Sequence, residues 1–192
     1  MSLWAYVVLH DRGFAPNPFW GYCTLATCKP QVRLRAQPGD WVIGAGAVRR
    51  VGRRRLVFAM RVEEKLPFED YNRDSRFAKK KPRLGGTPRE GCGDNIYYKR
   101  ADGRWKQRLS FHRHAHMPHD LRGKYVLIAR EFFYFGAKAP IIPSEYDALI
   151  PRGRGHRSRF NPDLVQGFLY WLRGDFSRGV LGEPWEATDP NI

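Results

Sequence analysis

The sequence predicts an α+β fold: a small β-barrel or a strongly curved sheet, with short helices and one C-terminal helix. Five to seven short apolar segments, rich in β-branched and aromatic residues, alternate with turn-forming residues. One segment near the end has the apolar spacing and the caps of a helix. The chain has 192 residues, 42% of them hydrophobic, which is enough for one core. Residues 1–192 are therefore predicted to form a single domain.

The N-terminal half supplies three predicted strands. The first is the apolar run at 4–9, the second follows the Pro-Gly-Asp turn at 38–40, and the third spans 56–62. Glycines at 44 and 46, in and after the second strand, suggest a bulge or a close approach of the backbone. The polar segment 64–83 predicts only a short helix around 69–76.

The second half begins with a glycine-rich stretch, 84–95, which predicts a flexible loop. A charged hairpin is then expected to turn at Asp102-Gly103. Apolar runs at 125–129 and 132–135 predict a strand that is interrupted between them. Ser144 and Asp147 form a weak capping box before a short helix that reaches Ile150.

The clearest predicted helix follows Asn161. Asn161 is a favourable N-cap, Pro162 suits the first helical position, and Asp163 suits the positive end of the helix dipole. One apolar stripe then follows at helical spacing, made of Leu164, Val165, Phe168, Leu169 and Leu172. Gly174 can end the helix.

The charge of the chain indicates a polyanionic partner. Thirty-four basic residues stand against 19 acidic ones, a net charge of +15. A basic surface releases counterions from a phosphate backbone, so nucleic acid is the expected partner; solubility alone is the alternative. The charge is concentrated in three predicted loops, and the alternative is that these loops are simply solvated. The predicted phosphate-binding residues are Arg49, Arg50, Arg53, Arg54, Lys79, Lys80, Arg152, Arg154, His156 and Arg157.

Aromatic side chains accompany this charge. Phe14, Phe19 and Trp20 lie in a predicted loop, where large rings either pack back on the core or line a site. In the strand 132–135, alternation sends Phe133 and Phe135 to one face, and Phe132 and Tyr134 to the other. One face is therefore free in principle to stack on splayed bases.

Other chemistries have weaker signals. His112, His114, His116 and His119 would share a face if they lay on a strand, but no second set of ligands completes a metal site, so we predict none. Phosphate-loop, dinucleotide and Gly-x-Ser-x-Gly motifs do not occur, and we predict no cofactor. The three cysteines form an odd set that favours a reducing compartment. Without an apolar run of membrane-spanning length, we expect a cytoplasmic protein with no membrane partner.

Five segments together resemble the second of the nucleotide-modification-associated domain families, which are found near genes for hypermodified DNA bases in phages and bacteria. They are GFAPNPF at 13–19, CTLATCKP at 23–30, GDWVIG at 39–44, YFG at 134–136 and GHR at 155–157. The turn that enters the strand at 41 also resembles the barrel core of the PUA-like group, with its EVE, ASCH and YTH domains. That broader resemblance implies a reader with an aromatic-walled base pocket, although the EVE opening motif is not visible.

The leading hypothesis is a PUA-like domain that binds nucleic acid, DNA in the first place, and recognises a modified or flipped base. Stacking is expected from Phe14, Trp20, Trp41 and Tyr134. Hydrogen bonds to a base edge are expected from Asn17, Thr24 and Asn95. The alternative is an enzyme acting on modified nucleotides through Cys23, His156 or an acidic residue. A third reading is a basic RNA-binding interaction module.

Overall fold

The computed structural model describes residues 1–48, 50–151, 153 and 155–186. Over these residues the chain is a mixed α+β protein. The strands are β1 (Leu3–Val8), β2 (Cys23–Leu25), β3 (Trp41–Gly46), β4 (Leu56–Arg61), β5 (Glu64–Pro67), β6 (Tyr97–Lys99), β7 (Trp105–Gln107), β8 (Tyr125–Ala129), β9 (Phe132–Tyr134), β10 (His156–Arg157) and β11 (Gly179–Val180). The α-helices are α1 (Pro30–Arg35), α2 (Phe68–Arg73), α3 (Pro88–Gly91), α4 (Met117–Leu121) and α5 (Pro162–Asp175). Short 3₁₀ helices span Ser75–Lys80, His114–His116, Gly136–Lys138 and Ser144–Leu149.

The largest sheet has the strand order β10-β1-β3-β4-β9-β11. Its interior includes the parallel pair β1 and β3, and nearly every residue of both strands is buried. A strand covered on both faces reads as an unbroken apolar run, which is why both were predictable. The predicted close approach at Gly44 is confirmed. A Cβ there would lie 2.3 Å from the ring of Phe58, and the β3–β4 register shifts just after it.

One bent ribbon joins this sheet to the second sheet, which has the order β2-β8-β5. The β4–β9 pair and the β5–β8 pair keep the same antiparallel register, from Phe58 opposite Tyr134 to Pro67 opposite Tyr125. At the bend, Glu63 accepts hydrogen bonds from the backbone N–H groups of Arg130 and Glu131. The predicted interruption after residue 129 is this corner. Over the described residues the sheets do not close into a barrel, so that prediction is not confirmed.

Both faces of the large sheet are covered. The predicted C-terminal helix is confirmed as α5, with Asn161 Oδ1 accepting from Asp163 N at 2.8 Å. The apolar stripe of α5 packs over one face of the sheet, and the second sheet covers the other. The predicted alternation of residues 132–135 is confirmed, with Phe133 and Phe135 facing α5. Because the opposite face is also buried, it offers no stacking surface.

Short elements account for most differences from the predictions. Residues 84–95 contain α3, which is capped reciprocally by Thr87 and Glu90. Residues 64–67 form β5 although their sequence is polar, because β8 supplies their hydrogen-bond partners. The histidine segment is not a strand, since His114–His116 is a 3₁₀ helix that leads into α4. Among the described helices, none has the length and hydrophobicity needed to cross a membrane.

Candidate nucleic-acid interface

The loop between β1 and β2 is folded around Asn17. Asn17 and Thr24 form an antiparallel bridge through two backbone hydrogen bonds of 2.8 and 2.9 Å. The side-chain amide of Asn17 donates to the carbonyls of Gly13 and Cys92, at 2.9 and 2.8 Å. Asn17 is fully buried, and these internal bonds use both of its N–H donors. The prediction that Asn17 contacts a base edge is therefore not supported by its position.

Lys80 holds the same loop from below. Its ammonium group donates to Asn17 O, Asn17 Oδ1 and Tyr22 O, at 3.0, 2.6 and 2.8 Å. Three acceptors satisfy all three donors of an ammonium group. Burial lowers the pKa of Lys80 to about 8, against an opposing effect from Asp94. Lys80 was predicted to bind phosphate, but its position does not support this because the side chain has no exposure to solvent.

A buried polar network continues from this point. Thr24 Oγ1 donates to Asp94 Oδ2 at 2.7 Å, and the Tyr71 hydroxyl donates to Asp94 Oδ1 at 2.6 Å. Burial raises the pKa of Asp94 to about 6. Asn95 Nδ2 donates to the carbonyls of Tyr71 and Phe77. Thr24 and Asn95, both predicted to contact a base, are thus structural groups that fasten the loop to α2 and the following 3₁₀ helix.

An open groove of about 510 Å³ lies on the surface above this network. Lys79 and Lys81 are the chain neighbours of the buried Lys80, and both line the groove. The other lining residues are Trp20, Ala78, Arg83, Thr87, Arg89 and Glu90. We call this set the basic groove. Of its charges, four are positive and one is negative.

The single carboxylate of the basic groove is engaged locally. Glu90 accepts from the backbone N–H and the hydroxyl of Thr87, and it lies 3.4 Å from Arg83. These hydrogen bonds lower the pKa of Glu90. The guanidinium of Arg89 lies 5.3 Å from the centre of the Phe19 ring and pairs with Glu183. Arg83 and Arg89 each have a carboxylate partner, so Lys79 and Lys81 give the groove its excess of positive charge.

Trp20 places an aromatic ring in this positive environment. Its backbone has a φ of 60°, a left-handed conformation that is uncommon for a residue other than glycine. The ring meets Phe19 edge to face, with 5.7 Å between the centroids. Trp20 is partly exposed, whereas Phe19 is buried, so Trp20 is the ring of this pair that reaches solvent.

The other three predicted stacking residues belong to the core. Trp41 is fully buried and stacks on Phe133 beneath α5. Tyr134 is buried between the sheets, and its hydroxyl donates to Asp11. Phe14 packs against the ring of His112. In each case the loop or strand that carries the ring is covered by a distant part of the chain.

The remaining predicted phosphate contacts lie on two other elements. Arg50, Arg53 and Arg54 are exposed in the β3–β4 loop, and Arg54 pairs with Asp147 at 2.9 Å. His156 and Arg157 form β10 at the edge of the large sheet. Arg49, Arg152 and Arg154 were also predicted, and they lie outside the described residues. Sequence reasoning reached Lys79 through its charge run but missed Arg89, which lies in the segment predicted to be a flexible loop.

The histidines and cysteines form no metal centre in the part of the chain that is described. His112 Nε2 lies 2.7 Å from Asp120 Oδ2, and Tyr97 donates to the same oxygen. Burial raises the pKa of Asp120, but the interaction with His112 and, after it, the hydrogen bond from Tyr97 lower it. The pKa of Asp120 therefore lies below its ordinary value. Cys23 is buried between the sheets, where burial raises the pKa of its thiol far above the ordinary range. Cys23 is thus a poor nucleophile.

Comparison with known proteins gives one match. A family model described as nucleotide modification associated domain 2 matches residues 1–190. No curated protein and no solved structure is significantly similar to the chain.

Proposed function

The chain belongs to the nucleotide modification associated domain 2 family, and from this premise we propose that it binds DNA and recognises a modified or flipped base. The resemblance noted in the sequence is confirmed across nearly the whole chain. Membership links the protein to nucleotide-modification systems. A PUA-like architecture and a DNA partner are the finer parts of the proposal.

The observation that supports nucleic-acid binding is the basic groove. It combines a partly exposed indole, Trp20, with the cationic side chains of Lys79, Lys81, Arg83 and Arg89. Cationic groups bind phosphate with little regard to sequence, and an aromatic face stacks on any base that leaves the duplex. The two features together suit a strand whose base is unstacked. The net charge of +15 favours the same class of partner.

The rigid support of the groove is consistent with this role. The loop that carries Trp20 is fixed by Asn17 and Lys80. A ring that is already positioned loses less conformational entropy when it binds. The basic groove therefore resembles a preorganised surface rather than a merely solvated charge run.

Fluorescence anisotropy with a labelled 20-base-pair duplex tests the proposal. We expect log Kd to rise linearly with log salt, with a slope of about 0.9 per phosphate contact. The K79E/K81E pair should lower affinity at least about 100-fold, because two attractive contacts become repulsive. The matched control is R104E/K106E, which changes two exposed cations of the β6–β7 hairpin outside the groove and should have a small effect.

Base recognition is tested with the same duplex carrying one 5-hydroxymethyluracil or one bulged cytosine. Tighter binding to either than to plain duplex is expected. Equal affinity for all three, with little salt dependence, would contradict the proposal. Preference for single-stranded RNA of the same length would instead select the RNA-binding module.

One observation favours an enzyme as the second candidate. His112 is held by a buried carboxylate, Asp120, in the arrangement that orients a general base. Cys23 is unsuited to be a nucleophile, and among the described residues His156 has no carboxylate partner. Turnover of a modified nucleotide that is abolished in H112N and retained in H119N would support this candidate. Absence of turnover with a panel of modified nucleotides would exclude the enzyme and leave binding as the remaining candidate function.

A further inference from the structure

A second group of polar and aromatic side chains meets at the edge of the large sheet. Tyr6 of β1 is directly opposite His156 of β10, so their side chains lie on the same face. Lys29, at the start of α1, places its ammonium group 4.6 Å from the centre of the Tyr6 ring and 3.5 Å from the carbonyl oxygen of Gly155. We call Tyr6, Lys29 and His156 the edge site.

Each basic group of the edge site contacts one aromatic ring. Trp4 lies two residues before Tyr6 on the same face, and its ring centroid is 5.4 Å from that of His156. Lys29 and His156 are partly exposed, whereas Trp4 and Tyr6 are buried behind them. The edge site is therefore open to solvent at its two basic groups and apolar beneath them.

The backbone at the edge site is held in an unusual conformation. Cys28 and Lys29 are adjacent, and both have positive φ, at 57° and 40°. Neither is glycine, so the conformation costs free energy and persists only where the surroundings impose it. Here Asp120 accepts from Cys28 N at 2.8 Å, and Arg33 Nε donates to Cys28 O at 2.8 Å. Two buried groups, Arg33 of α1 and Asp120 of α4, thus fix the position of Lys29.

The hydroxyl of Tyr6 is the most informative group. Tyr6 is 2% exposed, and its hydroxyl has no hydrogen-bond partner among the described residues. Buried polar atoms are nearly always paired in native proteins, so this phenol is an available donor for a water molecule or a ligand. Burial raises the pKa of Tyr6, which keeps the group a neutral O–H donor. A ligand with an acceptor oxygen would satisfy it.

We propose that the edge site binds the phosphate of a single nucleotide, with Lys29, His156 and the Tyr6 hydroxyl as its donors. The aromatic wall favours a nucleotide over a simple anion, because the attached base and sugar gain apolar contact. This inference rests on the proposed function, since the nucleotide is either flipped from DNA bound at the basic groove or free in solution. The chemistry is the same for both sources.

Isothermal titration with deoxycytidine 5′-monophosphate, deoxycytidine and inorganic phosphate tests the site. We expect the monophosphate to bind at least about tenfold more tightly than either of the other two. K29Q should weaken it about tenfold through loss of the ammonium charge, and Y6F about threefold through loss of the hydroxyl donor. The exposed variant K106Q is the matched control for loss of one positive charge.

Y6F also guards against a trivial loss of structure. Because it removes an unpaired buried hydroxyl, its melting temperature should equal or exceed that of the wild type. Unchanged affinity in K29Q and Y6F would overturn the edge site, as would phosphate alone binding as tightly as the nucleotide. That result leaves the effect of K79E/K81E on duplex binding intact. If the proposed function fails instead, plain duplex does not bind at low salt, yet the monophosphate still does.

The source of the nucleotide follows from a competition arm. Duplex with a bulged cytosine should displace the monophosphate if the edge site takes a flipped nucleotide. Displacement by neither bulged nor plain duplex indicates a free nucleotide. Displacement by plain duplex to the same extent as by bulged duplex would overturn the inference, because the site would then be an ordinary contact to the phosphate backbone.

Discussion

The basic groove and the edge site each rest on one fully buried cation. Lys80 lies beneath the groove and donates three hydrogen bonds to oxygens of Asn17 and Tyr22. Arg33 lies beneath the edge site and donates to the carbonyls of Cys28, Tyr125 and Asp120. Both side chains have no solvent exposure. In both regions, a loop that carries a candidate ligand-binding residue is fixed by a charge that solvent does not reach.

The two cations differ in how firmly they keep their proton. Burial lowers the pKa of Arg33 to about 10, while the nearby carboxylate of Asp120, 3.9 Å away, opposes that effect. Burial lowers the pKa of Lys80 to about 8, closer to neutrality. A guanidinium is also a planar fork that binds several carbonyls at once, whereas an ammonium is a compact point charge. The support of the edge site is therefore permanent, and that of the groove is titratable.

The largest effect is expected from breaking the support of the edge site. R33M should lower the free energy of unfolding by about 3–5 kcal/mol, because three carbonyl oxygens lose their guanidinium donor and the buried carboxylate of Asp120 loses a nearby cation. Chemical denaturation measures this loss. R35M, on the exposed side of the same helix, should stay within about 0.5 kcal/mol of the wild type. A cost of R33M below about 1 kcal/mol would mean that Arg33 is not the support described.

Breaking the support of the groove should cost less. K80M removes the ammonium donor from oxygens of Asn17 and Tyr22, which is expected to cost about 2–3 kcal/mol. The cost is smaller than for R33M because none of the hydrogen-bond acceptors of Lys80 is a carboxylate. The same denaturation experiment compares K80M with the surface variant K79M. Equal stability of the two variants would show that the position of Lys80 contributes nothing.

The third effect concerns the ring in the groove. W20A should weaken binding to the bulged duplex by about 1–2 kcal/mol, because one stacking face is lost. W20G is the matched variant, since glycine adopts the positive φ of this position without strain. Both should lose the same affinity, and W20G should be the more stable of the two. Retained affinity in both variants would remove Trp20 from the interface.

The smallest effect is the dependence of stability on pH. The folded protein releases the Lys80 proton near pH 8, whereas the unfolded chain keeps it to about pH 10.4. Between these values the unfolded state binds more protons, so this group makes stability rise with pH. Relative to K80M, the wild type should gain about 0.7 kcal/mol between about pH 7.5 and 8.5. The stability difference between the wild type and R33M should not change over this pH range, because both proteins keep Lys80. A loss of wild-type stability relative to K80M as the pH rises would contradict the assignment.

Regular elements were predictable where local pattern and tertiary environment agree. The strands around Trp41 and Leu56 are continuous apolar runs because both of their faces are covered. The helix after Asn161 carries its own cap and stripe. β5 was missed because its polar sequence pairs with β8, a partner about 60 residues away. Such pairing leaves no signal in the segment itself.

The candidate sites were only partly predictable for a related reason. Trp20 and Lys79 were found because charge and aromatic character are properties of the residue alone. The burial of Lys80 depends on Asn17, which is 63 residues distant in the chain. The sequence of the run at 79–83 therefore does not distinguish the buried Lys80 from the lysines beside it. Lys29 was not singled out at all. Its importance comes from a backbone conformation and from a strand, β10, that returns more than 120 residues later.

The bent ribbon of β4, β5, β8 and β9 has a consequence for how the chain folds. Because one register runs through both sheets, a slip by one residue would turn the core side chains of both sheets outward together. The two sheets should therefore form and unfold in a single cooperative transition. The N-terminal strand β1 is completed only by β10, near residue 156, so folding waits for contacts distant in the chain. Proteins dominated by such contacts fold slowly, and during synthesis both proposed binding regions would mature only after most of the chain has emerged.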